Sequence, residues 1–182
     1  MSARYECIFL DRDGTINIDP GYISKVEDFE FYDYTFNALE LLSSLTKYFI
    51  IITNQSGVSR GLIEEKELIK INNFIQMKFL ENQLNLLGIY YCTDLPENAT
   101  KFRKPGVGMF LQASIEHNIN LSKCIMIGDS YKDIVPANKL GMKSMLIFKD
   151  NDDKVDLKNF DGSCEPDFIV KNLFLGAKEL AK

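Results

Sequence analysis

The sequence predicts an α/β fold in which a parallel sheet carries helices on both faces. Short, continuously apolar runs rich in β-branched residues alternate with longer segments whose apolar residues recur every three or four positions. Strands that are apolar on both sides are typical of a parallel sheet with both faces covered, because every side chain then meets a helix. The 182 residues suit a single domain spanning 1–182, without a large cap domain.

The individual elements follow from these two periodicities. The predicted strands are Tyr5–Leu10, Tyr48–Thr53, Leu87–Cys92, Lys123–Gly128, Lys143–Phe148 and Phe168–Val170. The predicted helices are Phe36–Leu45, Glu64–Leu84, Gly108–His117, Asp133–Leu140 and Leu173–Leu180. In the longest helix, Met77 and Phe79 are expected to pack in the core. The acidic stretch 149–162 is expected to be a surface loop, because it lacks the fixed glycine and glutamate of a calcium loop.

Composition narrows the possible function classes. Hydrophobic residues make up 46% of the chain, as in a soluble globular protein, and the net charge of −5 argues against a nucleic-acid-binding face. The first apolar run is too short for a secretory or membrane segment, so a cytoplasmic protein is expected. No amphipathic stripe indicates obligate assembly, and a monomer is expected. Cys7 and Cys124 lie in strand-like runs and are expected to be buried free thiols.

The first polar cluster, Asp11-Arg12-Asp13-Gly14-Thr15, follows directly on the first strand. Residues two apart in extended backbone project to the same side, so Asp11 and Asp13 can face one site. Two carboxylates that close repel each other unless a cation or a proton separates them. Mg²⁺ accepts oxygen ligands and keeps positions for water and a phosphate oxygen. Taken alone, the segment also fits a plain turn after a strand.

Three more polar clusters stand at later strand ends or before a helix. They are Thr53-Asn54-Gln55-Ser56-Gly57, Arg103-Lys104-Pro105-Gly106 and Gly128-Asp129-Ser130-Tyr131-Lys132-Asp133. Each alone also fits an ordinary loop, and Asp133 also fits a partner for a helix dipole. In a parallel sheet, however, ligands bind beyond the carboxyl ends of the strands, so the clusters are expected to converge. A hydroxyl, an amide and a lysine could then orient a phosphate, and Asp129 could complete a metal site.

The order and sheet position of the four clusters resemble the four motifs of the haloacid dehalogenase (HAD) superfamily of phosphotransferases, over nearly the whole chain. The segments 11–17, 21–22 and 53–61 resemble one branch, which holds D-glycero-D-manno-heptose 1,7-bisphosphate phosphatases and the phosphatase half of bifunctional histidine-biosynthesis enzymes. Residues 88–92 followed by Arg103-Lys104-Pro105 are similar to the heptose enzymes in particular. The resemblance implies Mg²⁺-dependent hydrolysis of the 7-phosphate of a heptose bisphosphate, on the way to nucleotide-activated heptose for surface polysaccharide.

The resemblance also implies a role for each matching residue. Asp11 attacks phosphorus and becomes an aspartyl phosphate, and Asp13 is the general acid and base. Asp11, the backbone carbonyl of Asp13 and Asp129 hold Mg²⁺, with Asp133 behind them. Thr53 and Lys104 orient the phosphoryl group. The residues expected to contact the rest of the substrate are Asp19, Gly21, Tyr22, Asn54, Gln55, Ser56, Arg60 and Arg103.

The segment after Cys92 departs from the heptose enzymes. Those enzymes commonly carry a zinc loop with a Cys-x-His pair and a later Cys-x-Cys pair, whereas here Thr93-Asp94 follows Cys92 and 93–102 contains no cysteine. Since a structural zinc site takes four nitrogen or sulfur ligands, no zinc is predicted. The lone histidine, His117, is expected to be a surface residue and not a base.

The sequence also allows other functions. Within the enzyme class the main alternative is a histidinol-phosphate phosphatase or another small sugar-phosphate phosphatase. A DNA 3′-phosphatase is disfavoured by the acidic balance. Outside the enzyme class, the chain could be a phospho-ligand binding module without turnover, although the intact Asp11 and Asp13 argue against it.

Overall fold

The computed structural model describes residues 3–148 and 164–182, so the stretch predicted as a surface loop, 149–162, lies outside the described residues. Six strands form one all-parallel sheet in the order β3-β2-β1-β4-β5-β6. They are β1 Ile8–Leu10, β2 Phe49–Asn54, β3 Leu86–Cys92, β4 Ile125–Gly128, β5 Lys143–Ile147 and β6 Phe168–Val170. The predicted parallel sheet is confirmed. Its strand order reverses between β1 and β4, where such sheets place their ligands.

Five helices cover the sheet on both faces, as predicted. They are α1 Thr35–Ser43, α2 Glu65–Glu81, α3 Gly108–His117, α4 Tyr131–Lys139 and α5 Leu173–Leu180. The alternation along β1 assigns the faces: Ile8 and Leu10 join the core formed with α1, α2 and α5, whereas Phe9 joins the core formed with α3 and α4. On that second face the ring of Phe9 stacks on that of Phe110 with centroids 5.8 Å apart. The described residues contain no second sheet or separate helical unit.

Some element ends differ from the predicted ones for local reasons. Helix α4 begins at Tyr131, two residues early, because Ser130 and Asp133 form a capping box there. Helix α2 ends at Glu81 instead of residue 84, shortly before Gln83 adopts a φ of 57°. Phe79 is fully buried as expected, but the expectation for Met77 was wrong, since it lies 46% exposed on the outer side of α2.

The cysteines that were expected to be buried are buried. Cys7 and Cys124 are fully enclosed in the second core, and both are free thiols. Burial raises the pKa of Cys7, and it raises the pKa of Cys124 to about 12, because the thiolate loses its hydration. None of the helices in 3–148 and 164–182 has the length and apolar character to cross a membrane.

Candidate active site

A cleft of about 770 Å³ opens at the carboxyl ends of β1, β2 and β4. Residues predicted for the site line most of it: Asp11, Asp13, Asp19, Gly21, Tyr22, Thr53, Asn54, Gln55, Ser56, Arg103, Lys104 and Asp129. Two predicted residues lie elsewhere. Arg60 is exposed outside the lining, and Asp133 is completely buried behind it. The four sequence clusters therefore meet in one place.

Asp11 follows β1 and presents one free oxygen to the cleft. Its Oδ1 accepts the backbone N–H of Arg12 at 2.7 Å and lies 2.8 Å from Lys104 Nζ. Its Oδ2 has no hydrogen bond from the described residues, so this oxygen is available to an electrophile or a cation. Burial raises the pKa of Asp11 well above its ordinary range; Asp133 and Asp129 raise it further, and Lys104 opposes them.

Lys104 is the buried cation of the site. Its side chain is 2% exposed, and Nζ lies 2.8 Å from Asp11 Oδ1 and 2.6 Å from Asp133 Oδ1. Nζ also donates to the carbonyl of Ile52 at 2.8 Å. Burial alone would lower the pKa of Lys104, but Asp11 and Asp133 outweigh it and raise that pKa above its ordinary value. The amine of Lys104 therefore places positive charge beside the carboxylate of Asp11.

Asn54 was predicted to contact substrate. In the structure, its side-chain amide hydrogen-bonds the backbone of Lys104. Its Oδ1 accepts the Lys104 N–H at 3.0 Å, and its Nδ2 donates to the Lys104 carbonyl at 3.0 Å. Both hydrogen-bonding atoms of the side chain are thus engaged across 50 residues of sequence. Asn54 ties the loop that carries Lys104 to the end of β2.

Asp13 is held by four hydrogen bonds from three side chains. Arg12, 1% exposed, donates from Nε to Oδ1 at 3.0 Å and from Nη2 to Oδ2 at 2.9 Å, a bidentate pair. Asn17 donates to Oδ1 at 2.9 Å and Gln55 donates to Oδ2 at 2.8 Å. The amide nitrogen of Gln55 also lies 2.9 Å from Thr53 Oγ1, which accepts from it, so the hydroxyl proton of Thr53 can point into the cleft.

Three carboxylates beside the cleft could hold a metal. Oxygens of Asp11, Asp129 and Asp133 all lie within 4.8 Å of one another, the only such group of three acidic, histidine or cysteine residues in the described part of the chain. Gly14 makes the approach possible: its φ is +80°, and a Cβ there would lie 1.9 Å from Asp129 Oδ2. All-oxygen donors suit Mg²⁺.

Asp133 belongs behind the other two carboxylates. Its Oδ1 is paired with Lys104, and its Oδ2 accepts from the backbone N–H and the hydroxyl of Ser130 at 3.2 and 3.3 Å. A Cβ on Gly128 would lie 2.3 Å from Asp133 Cγ, so glycine is needed for this carboxylate to tuck beneath β4. Both proposed functions of Asp133, helix cap and support for the metal ligands, are compatible with this position.

Several lining residues were missed by the sequence reasoning. Tyr32, Ser130, Tyr131 and Lys132 line the cleft, and Arg12 donates two hydrogen bonds to Asp13. Arg12 and Lys132 stand inside two of the quoted clusters, so a charged residue within a cluster was the available signal. Tyr32 lies outside every cluster, and nothing in its local sequence marks it. The lone histidine, His117, is partly buried outside the cleft lining, with Nε2 at 3.1 Å from the Tyr90 hydroxyl.

Comparisons with known proteins identify the family of this chain. A family profile described as HAD-hydrolase-like matches residues 101–174. D-glycero-β-D-manno-heptose-1,7-bisphosphate 7-phosphatase of Helicobacter pylori strain J99 is 40% identical over 152 residues, which is 83% of this chain and 87% of that protein. The chain belongs to the HAD-like hydrolase family, among its phosphatases.

A second relative carries the same name, and two solved structures share the fold of this HAD hydrolase. The enzyme of the same name from Photorhabdus laumondii is 34% identical over 155 residues, which is 80% of this chain and 82% of that protein. The fold is that of the Bordetella bronchiseptica D,D-heptose 1,7-bisphosphate phosphatase complexed with magnesium and phosphate (TM-score 0.81, 23% identity, 96% of this chain and 97% of that one). The corresponding phosphatase from Burkholderia thailandensis aligns with a TM-score of 0.67 at 17% identity, over 96% of this chain and 97% of that one.

Proposed function

We propose that this chain hydrolyses the 7-phosphate of a D-glycero-D-manno-heptose 1,7-bisphosphate, with Mg²⁺ and through an aspartyl phosphate. The observation that carries the proposal is the pairing of Asp11 with Lys104, which leaves the second carboxylate oxygen of Asp11 without a hydrogen bond from the described residues, at the cleft. The substrate is taken from relatives that are 40% and 34% identical and carry that activity in their names.

The first step is attack of the free oxygen of Asp11 on phosphorus. Lys104 holds the other carboxylate oxygen at 2.8 Å, which fixes the direction of attack and places positive charge beside the phosphoryl oxygens. The hydroxyl of Thr53 is oriented to donate to one of them, because its oxygen already accepts from Gln55. A phosphorus–oxygen bond forms to Asp11 as the bond to the sugar oxygen breaks.

Asp13 carries the proton in both steps. It protonates the departing sugar oxygen in the first step, then takes a proton from the water that attacks the aspartyl phosphate, which regenerates Asp11 and releases phosphate. Arg12, Asn17 and Gln55 hold its carboxyl group at one place in the cleft. Asp13 thereby keeps its position between the two steps.

The residues that would hold Mg²⁺ are Asp11, Asp129 and the backbone carbonyl of Asp13, supported by Asp133. Bound there, the ion offsets negative charge on the phosphoryl oxygens and on the clustered carboxylates. We propose no zinc, because Cys92 is not part of any group of three potential ligands in the described residues. We also propose a cytoplasmic monomer acting on a small phosphate ester and not on nucleic acid, in line with the net charge of −5.

The decisive experiment is a panel of kcat/KM values with Mg²⁺ for both anomers of the heptose bisphosphate, histidinol phosphate and fructose 1,6-bisphosphate. The proposal expects a heptose anomer to be hydrolysed fastest by a wide margin. Comparable or faster hydrolysis of histidinol phosphate would overturn it.

Asp13→Ala separates an enzyme from a binding module. We expect kcat to fall by about 10²–10⁴-fold, and unchanged phosphate release would remove Asp13 from the mechanism.

A further inference from the structure

The loop between β3 and α3 is closed by one side chain. Asp94 Oδ2 accepts both the backbone N–H of Thr100, at 2.8 Å, and its hydroxyl, at 2.6 Å. The Thr100 hydroxyl oxygen in turn accepts the N–H of Phe102 at 3.2 Å. These contacts lower the pKa of Asp94, chiefly through the Thr100 hydroxyl, so the carboxylate is charged when it closes the loop. We call this pair of hydrogen bonds the Asp94–Thr100 latch.

The same residue also holds the guanidinium of Arg103. The backbone carbonyl of Asp94 accepts from Arg103 Nη1 at 2.6 Å, and the carbonyl of Thr100 accepts the Arg103 N–H at 3.3 Å. Arg103 is 9% exposed and lines the cleft next to Lys104. Its Nε and Nη2 have no hydrogen-bonding partner among the described residues. The nearly buried guanidinium of Arg103 can therefore donate hydrogen bonds from Nε and Nη2 to a ligand in the cleft.

Lys104, the other cation of this loop that lines the cleft, is not available for that purpose. Lys104 is committed to Asp11, Asp133 and the carbonyl of Ile52, where it serves the phosphoryl group that is transferred. A substrate with a second anionic group needs a second cation, and Arg103 offers a planar fork that matches phosphate oxygens. Lys104 would then bind the phosphoryl group that is transferred, and Arg103 would bind the second anionic group.

We propose that Asp94 is a positioning residue for substrate selection: through the Asp94–Thr100 latch it fixes Arg103 to bind the phosphate that is not hydrolysed. This inference rests on the proposed function, because it assumes a substrate with two phosphates. It assigns to Asp94 a contribution to KM and not to the chemical step. The hydrogen bonds of the Asp94 carboxylate hold the loop in shape. The loop in turn fixes the position of the Arg103 guanidinium in the cleft.

The test compares substrates that have and lack a second phosphate, in Asp94→Ala and in wild type. We expect the KM for heptose bisphosphate to rise about 10-fold, the effect of one lost charge-assisted contact, with kcat retained. The KM for p-nitrophenyl phosphate should stay unchanged. Asp94→Asn, whose carbonyl oxygen can still accept from Thr100, should recover most of the loss. Glu97→Gln, an exposed acidic residue of the same loop, is the matched control and should match wild type on both substrates.

A double-mutant cycle with Arg103→Ala tests the connection. If Asp94 acts through Arg103, adding Asp94→Ala to Arg103→Ala raises the KM no further. Multiplicative effects, an equal rise in KM for both substrates, or an unchanged KM in Asp94→Ala would each overturn the proposal.

Hydrogen exchange across 94–103 tests the latch without any substrate. Exchange should accelerate in Asp94→Ala and not in Glu97→Gln, and unchanged exchange in Asp94→Ala would overturn the latch. Wild-type enzyme that prefers monophosphates would overturn both the proposed function and the assignment of Arg103 to a second phosphate. In that case the exchange result still decides whether Asp94 closes the loop.

Discussion

The side-chain amide of Asn54 binds both backbone polar groups of Lys104, each at 3.0 Å. Lys104 is the buried cation that pairs with the proposed nucleophile. It lies in a loop between β3 and α3, so no strand fixes its position. The end of β2 therefore determines where this cation stands. A residue that sequence reasoning assigned to substrate contact acts in the structure as a brace for another residue of the site.

Asn54→Ala should lower kcat about 10-fold, because two backbone hydrogen bonds worth about 1 kcal/mol each are lost and Lys104 shifts. Steady-state kinetics with Mg²⁺ measures the change. Asn37→Ala, an exposed asparagine on α1, is the control and should behave like wild type. A raised KM with normal kcat in Asn54→Ala would instead indicate direct contact with substrate.

Gly14→Ala should weaken Mg²⁺ binding by at least about 10-fold, the usual cost of displacing support around a metal ligand. The added Cβ would lie 1.9 Å from Asp129 Oδ2, so that carboxylate must move. Titration of activity with Mg²⁺ gives the half-saturating concentration. Gly141→Ala is matched, since its φ is likewise positive, at +70°, but no atom lies within 4 Å of the added Cβ. It should cost about 1–2 kcal/mol of stability and leave Mg²⁺ dependence intact; equal Mg²⁺ effects in both variants would contradict the steric argument.

Lys104→Met should abolish activity and lower the free energy of unfolding by roughly 3–5 kcal/mol, because Asp133 is left as an unpaired buried charge. Asp133 is 0% exposed and lies 2.6 Å from Lys104 Nζ. Adding Asp133→Asn to Lys104→Met should recover much of the stability without restoring activity. Urea unfolding of the single and double variants measures both effects, and a fully stable Lys104→Met would argue against the buried pair.

In the metal-free protein, Asp11→Asn should be inactive but more stable than wild type near pH 7. The pKa of Asp11 is raised in the folded state, so the native protein binds more protons than the unfolded chain between the ordinary value and the raised one. Wild-type stability therefore falls as pH rises through that interval, and asparagine removes the fall. Thermal midpoints in EDTA, measured from about pH 4 to pH 8, should separate increasingly as pH rises, with Asp11→Asn higher by about 2–4 °C in Tm for each kcal/mol. Lower stability of Asp11→Asn at pH 7 would contradict this account.

Periodicity and motif order were enough to predict the sheet, its five helices and the convergence of the four clusters. The carboxyl ends of parallel strands lie at one edge of the sheet. Residues that follow these strands therefore lie close together, whichever side chains they go on to contact. The same reasoning does not give the contacts or the direction of a side chain that depend on distant packing. Asn54 and Gln55 contact the backbone of Lys104 and the carboxyl of Asp13, and Met77 faces outwards from α2. No local sequence pattern distinguishes a polar side chain that hydrogen-bonds a loop from one that binds a ligand.

The thiols of Cys7 and Cys124 are enclosed in the core, where oxidants do not reach them readily. Peroxide and thiol reagents attack the thiolate, and both cysteines are shielded from solvent with a raised pKa. The proposed nucleophile is a carboxylate, which these reagents do not modify. Phosphate release should therefore survive treatment that inactivates a phosphatase with a cysteine nucleophile.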